Sequence, residues 1–464
     1  METAPGSILI VGAGVFGLSS AWALTKRPFF ADTSIVVVDD TRGTFPASDG
    51  ASVDSSRIIR ADYANAAYAD LASKAQEEWR KQGDDDLGGQ GRYTESGFIT
   101  SANTFEEVSV GGKTGMEYAK ASLDNVLRLM KEKGAQEQPA RVFHNKEDIQ
   151  SYLGVQGDPG DWGYLNYGSG WAHAEEGMKW LYKQVQGTGR VKLIDAHVDQ
   201  LVTEGKRAVG AALSDGSVLN ADVVFAAAGA WTGGLIDLRG QVEATGHILG
   251  YLDITDEESK VLRNHPVVLN LSTGLFVIPP RANVLKVARH GYGYLNPTTI
   301  AKALPSSPSE QRQPIVASQP LTSRDGAGNT FPVEAEGELR RALRDLVPSM
   351  DLENRPWKQT RLCWYSDTRD GDWLVDWHPG WEGLFVACGD SGHGFKFLPV
   401  LGEKLVDCLV GQGGELGQMW RWKDVEDERV GREVDGVYRG LITNDGSRGG
   451  KPGMILKEEI EKSS

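Results

Sequence analysis

Residues 7–39 carry the most regular arrangement of small and acidic residues in the chain. After the β-rich run SILIV come Gly12-Ala13-Gly14-Val15-Phe16-Gly17, spaced GxGxxG, and then a helical stretch containing Leu18, Ala21 and Ala23. A second β run, SIVVVDD, places Asp39 22 residues beyond Gly17. Each residue type has a physical task in binding a dinucleotide: Gly12 permits a tight turn, Gly14 lets a pyrophosphate approach the backbone, and Gly17 lets the helix pack closely on the strand. The helix N-terminus presents free N–H groups and a positive dipole end to phosphate oxygens, and Asp39 can accept from a ribose hydroxyl. The spacing does not separate FAD from NAD.

A second candidate is a thiol. Cys363, in RLCWYSDT, is one of three cysteines, with Cys388 and Cys408, an odd and sparse set without a CxxC pair that fits a reducing compartment. Its residue type allows two readings, a small buried hydrophobe or a nucleophile. Cys388 among apolar strand neighbours and Cys408 on a helix face read as inert. The chain has no HExxH, no GxxxxGK[ST] and no GxSxG. GDSGHG has the look of a serine-protease turn but lacks a supporting histidine and aspartate, and WLVDW and WRW read as packing clusters.

These residues must be positioned by a chain of 464 residues, too long for one core and therefore expected to form two domains. Its 49 basic and 64 acidic residues leave a charge of −15, which excludes nucleic acid and anionic membrane as bulk partners. The N-terminus lacks the basic flank of a secretory leader, and the apolar run VVFAAAGAW is short of the roughly 18–20 residues of a membrane span. A cytoplasmic protein is expected, and the C-terminal KSS is not a peroxisomal SKL signal. The opening βαβ unit is followed by helical patterns at 63–82 and 115–134, a meander at 190–231, a strand-rich stretch at 241–355 and a strand, glycine turn and helix at 383–410. The charged, glycine-rich last fifty residues read as an arm or partly disordered tail.

Four blocks in this order, ILIVGAGVFGLSSAWAL with VVVDD, SSRIIRADY (55–63), LKVARHGYGY (285–294) and CWYSDT through LFVACGDSGHGFKFLP (363–399), give the chain a recognisable pattern. It resembles the amine oxidases that include monomeric sarcosine oxidase, pipecolate oxidase and the fungal fructosyl amino acid oxidases (amadoriases). The resemblance implies FAD, bound covalently through Cys363 to the 8α-methyl of the flavin. Sulfur attacks as a thiolate, a form that a nearby cation favours, and Arg57 is the candidate. It further implies Lys286 as the residue that assists reaction with O2, His290 and Tyr365 as catalytic groups of the substrate pocket, and Arg60, Lys396 and His290 as substrate contacts. Gly392, His393, Gly394, Phe395, Lys396 and Val198 fall at cofactor-binding positions.

The fold class expected is α/β: a discontinuous Rossmann-type FAD domain (1–90, 160–240 and 356–415), an α+β, sheet-based substrate domain (91–159 and 241–355) and a C-terminal arm (416–464). The expected activity is oxidation of a secondary amine or N-substituted amino acid by a monomer, with a small-molecule amine and O2 as reactants, no metal, and imine and hydrogen peroxide as products. An oxidase acting on an N-methylated or cyclic amine in secondary metabolism, and an NAD(P)-dependent dehydrogenase, are the alternatives. Arg57 and the Lys286…His290 spacing lean to the sarcosine and pipecolate pattern, whereas CWYSDT and the WRW tail lean to the amadoriases.

Overall fold

A computed structural model of the chain describes residues 3–106, 108–134, 140–322, 325, 331–348 and 350–462. The first β run becomes the strand Ser7–Val11, inside a six-stranded sheet. Across the sheet the strands run Leu374–Trp377, Leu384–Cys388, Val223–Ala226, Ser7–Val11, Ser34–Asp39 and Val191–Asp195. All neighbours are parallel except the first pair. A mostly parallel sheet is covered on both faces, which is why its inner strands read as unbroken apolar runs. Helices Val15–Lys26, Ala174–Gly187 and Leu398–Leu409 pack into one buried cluster with it, and the three-stranded sheet Val198–Glu204, Arg207–Leu213 and Val218–Asn220 contributes to another. Gly402 lets the first and last of these helices meet closely, since a Cβ there would stand 1.9 Å from the Ser19 carbonyl oxygen.

The second layer is a ten-stranded sheet built around the long strand Glu243–Asp253, which pairs with Val284–Arg289 on one side and with Gln359–Asp367 on the other. Strand alternation decides what this last strand offers. Trp364 joins the cluster under helix Val333–Leu346, whereas Cys363 and Tyr365 join an apolar cluster on the opposite face with Phe98, Tyr118 and Tyr251.

Two segments differ from the sequence expectation. Residues 356–415, assigned to the dinucleotide domain, place their first strand, Gln359–Asp367, in the large sheet, and residues 160–240 do the same with Trp162–Asn166. An apolar run carries no mark of which sheet it will join, so crossings inside a segment leave no sequence signal. The C-terminal arm also differs from a tail. Its strand Met454–Ile455 pairs with Tyr294–Leu295, and Leu441, Thr443, Ser447 and Arg448 are buried. Glycines make this possible: a Cβ on Gly440 would lie 2.3 Å from the Leu295 side chain and one on Gly449 2.2 Å from the Gly274 nitrogen. Among the described residues no helix is long and apolar enough to cross a membrane.

Candidate active site

A cavity of about 400 Å³ runs from Gly12, Gly14 and Asp39, past Val198, to Ser366, Asp390 and Phe395 in and beside the GDSGHG turn. Gly12 has φ +107°, and a Cβ there would meet the Ala227 carbonyl oxygen at 2.4 Å, so glycine is required both for the turn and for the close approach. Gly17 lies off the cavity; a Cβ on it would stand 1.9 Å from the Gly12 oxygen, which makes it the packing glycine of the motif. The Asp39 carboxylate accepts from the Ala13 N–H at 3.1 Å and from the Asp40 N–H at 2.9 Å, and so is fixed at the end of its strand. At the helix N-terminus the Val15 N–H donates to Ser52 Oγ at 3.0 Å. Amide donors at a helix start, a carboxylate at the next strand end and an elongated cleft between them fit a dinucleotide.

Cys363 is 1% exposed and does not itself line the cavity, but the Arg57 that contacts it is bonded to Ala51 on the cavity wall. The Arg57 guanidinium stands over Cys363, with Nη2 3.4 Å from Sγ and donating to the Ala51 carbonyl at 2.8 Å. Arg57 is held by Asp54, which also accepts from Lys286 Nζ at 2.6 Å and from the Tyr251 hydroxyl at 2.7 Å. Lys286 donates a further bond to the Ser56 carbonyl at 2.8 Å. Burial opposes ionisation of Asp54, but Lys286, Arg57 and Arg361 override it and hold the carboxyl well below the usual carboxylate range. Burial lowers Lys286 to about 8, and Asp54 offsets part of that fall.

A second group of cations gathers beside the GDSGHG turn. Arg60 and Lys396, both 6% exposed, approach the buried ring of Tyr63, with Arg60 Cζ 4.7 Å and Lys396 Nζ 5.3 Å from its centroid. Neither has an ion-pair partner among the described residues; Lys396 Nζ instead donates to the Tyr63 hydroxyl and to the His393 carbonyl, each at 2.9 Å. Burial and the neighbouring Arg60 push Lys396 well below its ordinary value. His290 and Tyr365 stand 5.9 Å apart, centroid to centroid, and burial followed by the charge of Arg448 keeps the His290 imidazole neutral. Gly392, at φ +63°, backs directly on Tyr365: a Cβ would fall 2.2 Å from the ring. Gly394 is similarly close to the Phe16 ring, and Phe395 lies on the cavity wall. The His393 ring stacks on Trp373 at 5.5 Å and meets Tyr68 edge-on. Burial raises the Cys388 and Cys408 thiols.

Several residues at this site carry no sequence signal of their role. Asp54 directly precedes the SSRIIRADY block, and nothing in its spacing names Lys286 or Tyr251 as partners. Arg448 comes from the arm: its Nη1 lies 2.9 Å from His290 Nδ1, and its Nη2 donates to Asp367 Oδ1 at 2.6 Å and to the Ser391 carbonyl at 2.7 Å. His247 stacks on Tyr365 at 3.8 Å. A glycine-rich, charged tail hides such an arginine, because local composition does not report a return to the core.

Residues 7–408 match the family described as "DAO: FAD dependent oxidoreductase". An amino acid oxidase of Aspergillus flavus is 30% identical, with 90% of this chain and 98% of that protein covered. An L-saccharopine oxidase of Schizosaccharomyces pombe is 27% identical over 94% of this chain and 97% of its own. Among solved structures, the deglycating fructosamine oxidase Amadoriase II of Aspergillus fumigatus superposes with a TM-score of 0.75 at 26% identity, covering 98% of this chain and 96% of that one.

Asp54→Asn would leave Lys286 and Arg57 buried together without their shared anion. It is expected to cost about 3–5 kcal/mol in denaturant unfolding; a variant as stable as the parent would show that this carboxylate is not what holds the two cations.

Proposed function

Because the chain belongs to the DAO family of FAD-dependent oxidoreductases, we propose that it is an amine oxidase that binds its substrate by a carboxylate at Arg60 and Lys396. Membership sets aside the NAD(P)-dependent dehydrogenase as a reading of the glycine motif. The substrate class is a secondary amine or N-substituted amino acid. One observation carries this reading: two cations buried against one tyrosine ring, close enough to His290 to act on its charge, and neither in an ion pair among the described residues, with Asp62 and Asp390 acting on them only from further off. A buried unpaired cation is costly, and a substrate carboxylate supplies the missing anion. Guanidinium suits it because its planar fork can donate two parallel bonds.

The cofactor residues are Gly12, Gly14 and Asp39 at the dinucleotide end, with Val198 and Phe395 along the cavity wall. When bound there, FAD would supply the two-electron redox chemistry, with the amine oxidised to an imine and O2 reduced to hydrogen peroxide. The protein's part is orientation and charge. Arg60 and Lys396 fix one end of the substrate, and an incoming carboxylate offsets the burial and the Arg60 charge that work against the Lys396 ammonium. His290, which the two cations act on and which is held neutral, adds no further positive charge there, and this favours binding of the amine in its uncharged form. Arg57 over Cys363 provides the cation that a sulfur nucleophile needs, and Cys363 is the proposed point of covalent attachment. Lys286, charged and hydrogen-bonded to Asp54, supplies the positive charge for the reaction with O2.

Peroxide release from a panel of sarcosine, pipecolate, saccharopine and fructosyl amino acids tests the reading. At least one is expected to be oxidised, with Arg60→Gln and Lys396→Gln each raising KM about tenfold or more and changing kcat less; unchanged KM values would refute the carboxylate site. The denatured protein is expected to weigh more than its chain by one FAD, and Cys363→Ser to lose that mass; a parent chain of unmodified mass would refute the covalent link. Lys286→Met is expected to slow flavin reoxidation by about 10²–10³-fold. In the parent, the same rate is expected to fall as pH rises through about 8, where Lys286 loses its proton; stopped-flow reoxidation that is flat across that range would remove Lys286 from the step.

A further inference from the structure

The resemblance to the amine oxidases puts His393 in a turn at cofactor-binding positions and gives its side chain no separate role. Its imidazole is nonetheless held at both nitrogens. Nε2 lies 2.8 Å from the Gly371 carbonyl oxygen, which can only accept, so Nε2 carries the proton. Nδ1 is then an acceptor, and its partner is the Tyr63 hydroxyl at 3.1 Å. Tyr63 spends its single proton on that bond and presents its oxygen to Lys396 Nζ at 2.9 Å. The direction of every bond from Gly371 to Lys396 is thereby set by one carbonyl.

We propose that Tyr63 and His393 form a positioning relay that keeps an acceptor aimed at Lys396 and so holds its ammonium group in place for the substrate carboxylate. This rests on the reading of Arg60 and Lys396 as the carboxylate site. The relay is rigid at each point. The Tyr63 carbonyl accepts from Asn125 Nδ2 at 3.0 Å, and the Lys396 carbonyl accepts from Trp79 Nε1 at 2.9 Å. The His393 ring is enclosed by Trp373, Tyr68 and Phe397. Burial and the charge of Lys396 keep this imidazole neutral, the form in which Nδ1 can accept. Lys396 has three protons; Tyr63 and the His393 carbonyl take two and leave one for a ligand. Without the hydroxyl acceptor, the ammonium loses one of the two bonds that stabilise it in a buried site.

The test is titration of the holoenzyme with propionate, followed by the perturbation of flavin absorbance, together with the KM and kcat of the best amine. Tyr63→Phe is expected to raise the propionate Kd about tenfold or more, with KM rising and kcat changing less. Two replacements of His393 separate positioning from packing. His393→Asn puts an amide oxygen near the place of Nδ1 and is expected to retain most of the propionate affinity. His393→Gln reaches toward Gly371 but offers Tyr63 no acceptor there, and is expected to behave like Tyr63→Phe. Equal losses in the asparagine and glutamine variants would mean that the ring acts through packing alone and would overturn the relay. If Lys396→Gln weakens propionate and Tyr63→Phe does not, the relay falls and the carboxylate site stands; if Lys396→Gln leaves propionate unaffected, both fall.

Discussion

The carboxylate of Asp54 is the point on which the arrangement around Cys363 depends. It is fully enclosed, and it joins three segments that meet only in the folded chain: the loop before strand Arg57–Ile59, strand Val284–Arg289 through Lys286, and strand Glu243–Asp253 through Tyr251. Two buried cations on one anion leave a net positive charge in a low-dielectric place, and that charge sits against a thiol. A buried ion cluster of this kind contributes little to stability relative to apolar packing, but losing its anion is expensive. Its value to the protein is therefore positional: it keeps Arg57 over Cys363 and Lys286 beside them.

Around the GDSGHG turn the logic is reversed. Asp54 satisfies its cations, whereas Arg60 and Lys396 form no ion pair among the described residues and approach the same tyrosine ring. The two sites lie in one chain with a net charge of −15, so the positive character is local and built by tertiary contacts. Turn geometry also matters. Gly392 must be glycine because Tyr365 occupies the space its side chain would need, and that contact presses the aromatic ring of the strand carrying Cys363 against the turn that leads to Lys396.

The C-terminal arm completes the second site. Glu243, raised to about 7 by burial, accepts from the Tyr438 hydroxyl and the Leu441 N–H, and Thr443 donates to the Thr368 carbonyl, so the arm is fastened to the large sheet before it delivers Arg448. Arg448 then reaches His290, Asp367 and Ser391, which belong to three separate parts of the chain. Composition marked this region as polar and glycine-rich, and those same glycines are what admit its backbone into narrow gaps.

What the sequence determined by itself was local. The GxGxxG spacing, the acidic strand end at Asp39 and the alternation of apolar runs and turns are written in residues close together in the chain, and they specify the dinucleotide turn, the first strands and the helices flanking them. The blocks holding Arg57, Arg60, Lys286, His290, Cys363 and Lys396 were legible as blocks, because each is a short continuous pattern. The tertiary structure alone decided which sheet Gln359–Asp367 joins, which partner Asp54 binds, where Arg448 ends, and which way the proton on His393 points. Those outcomes depend on pairings between residues hundreds of positions apart, and such a pairing is fixed by burial, strand register and the need of every enclosed polar group for a partner, none of which is a property of a local segment.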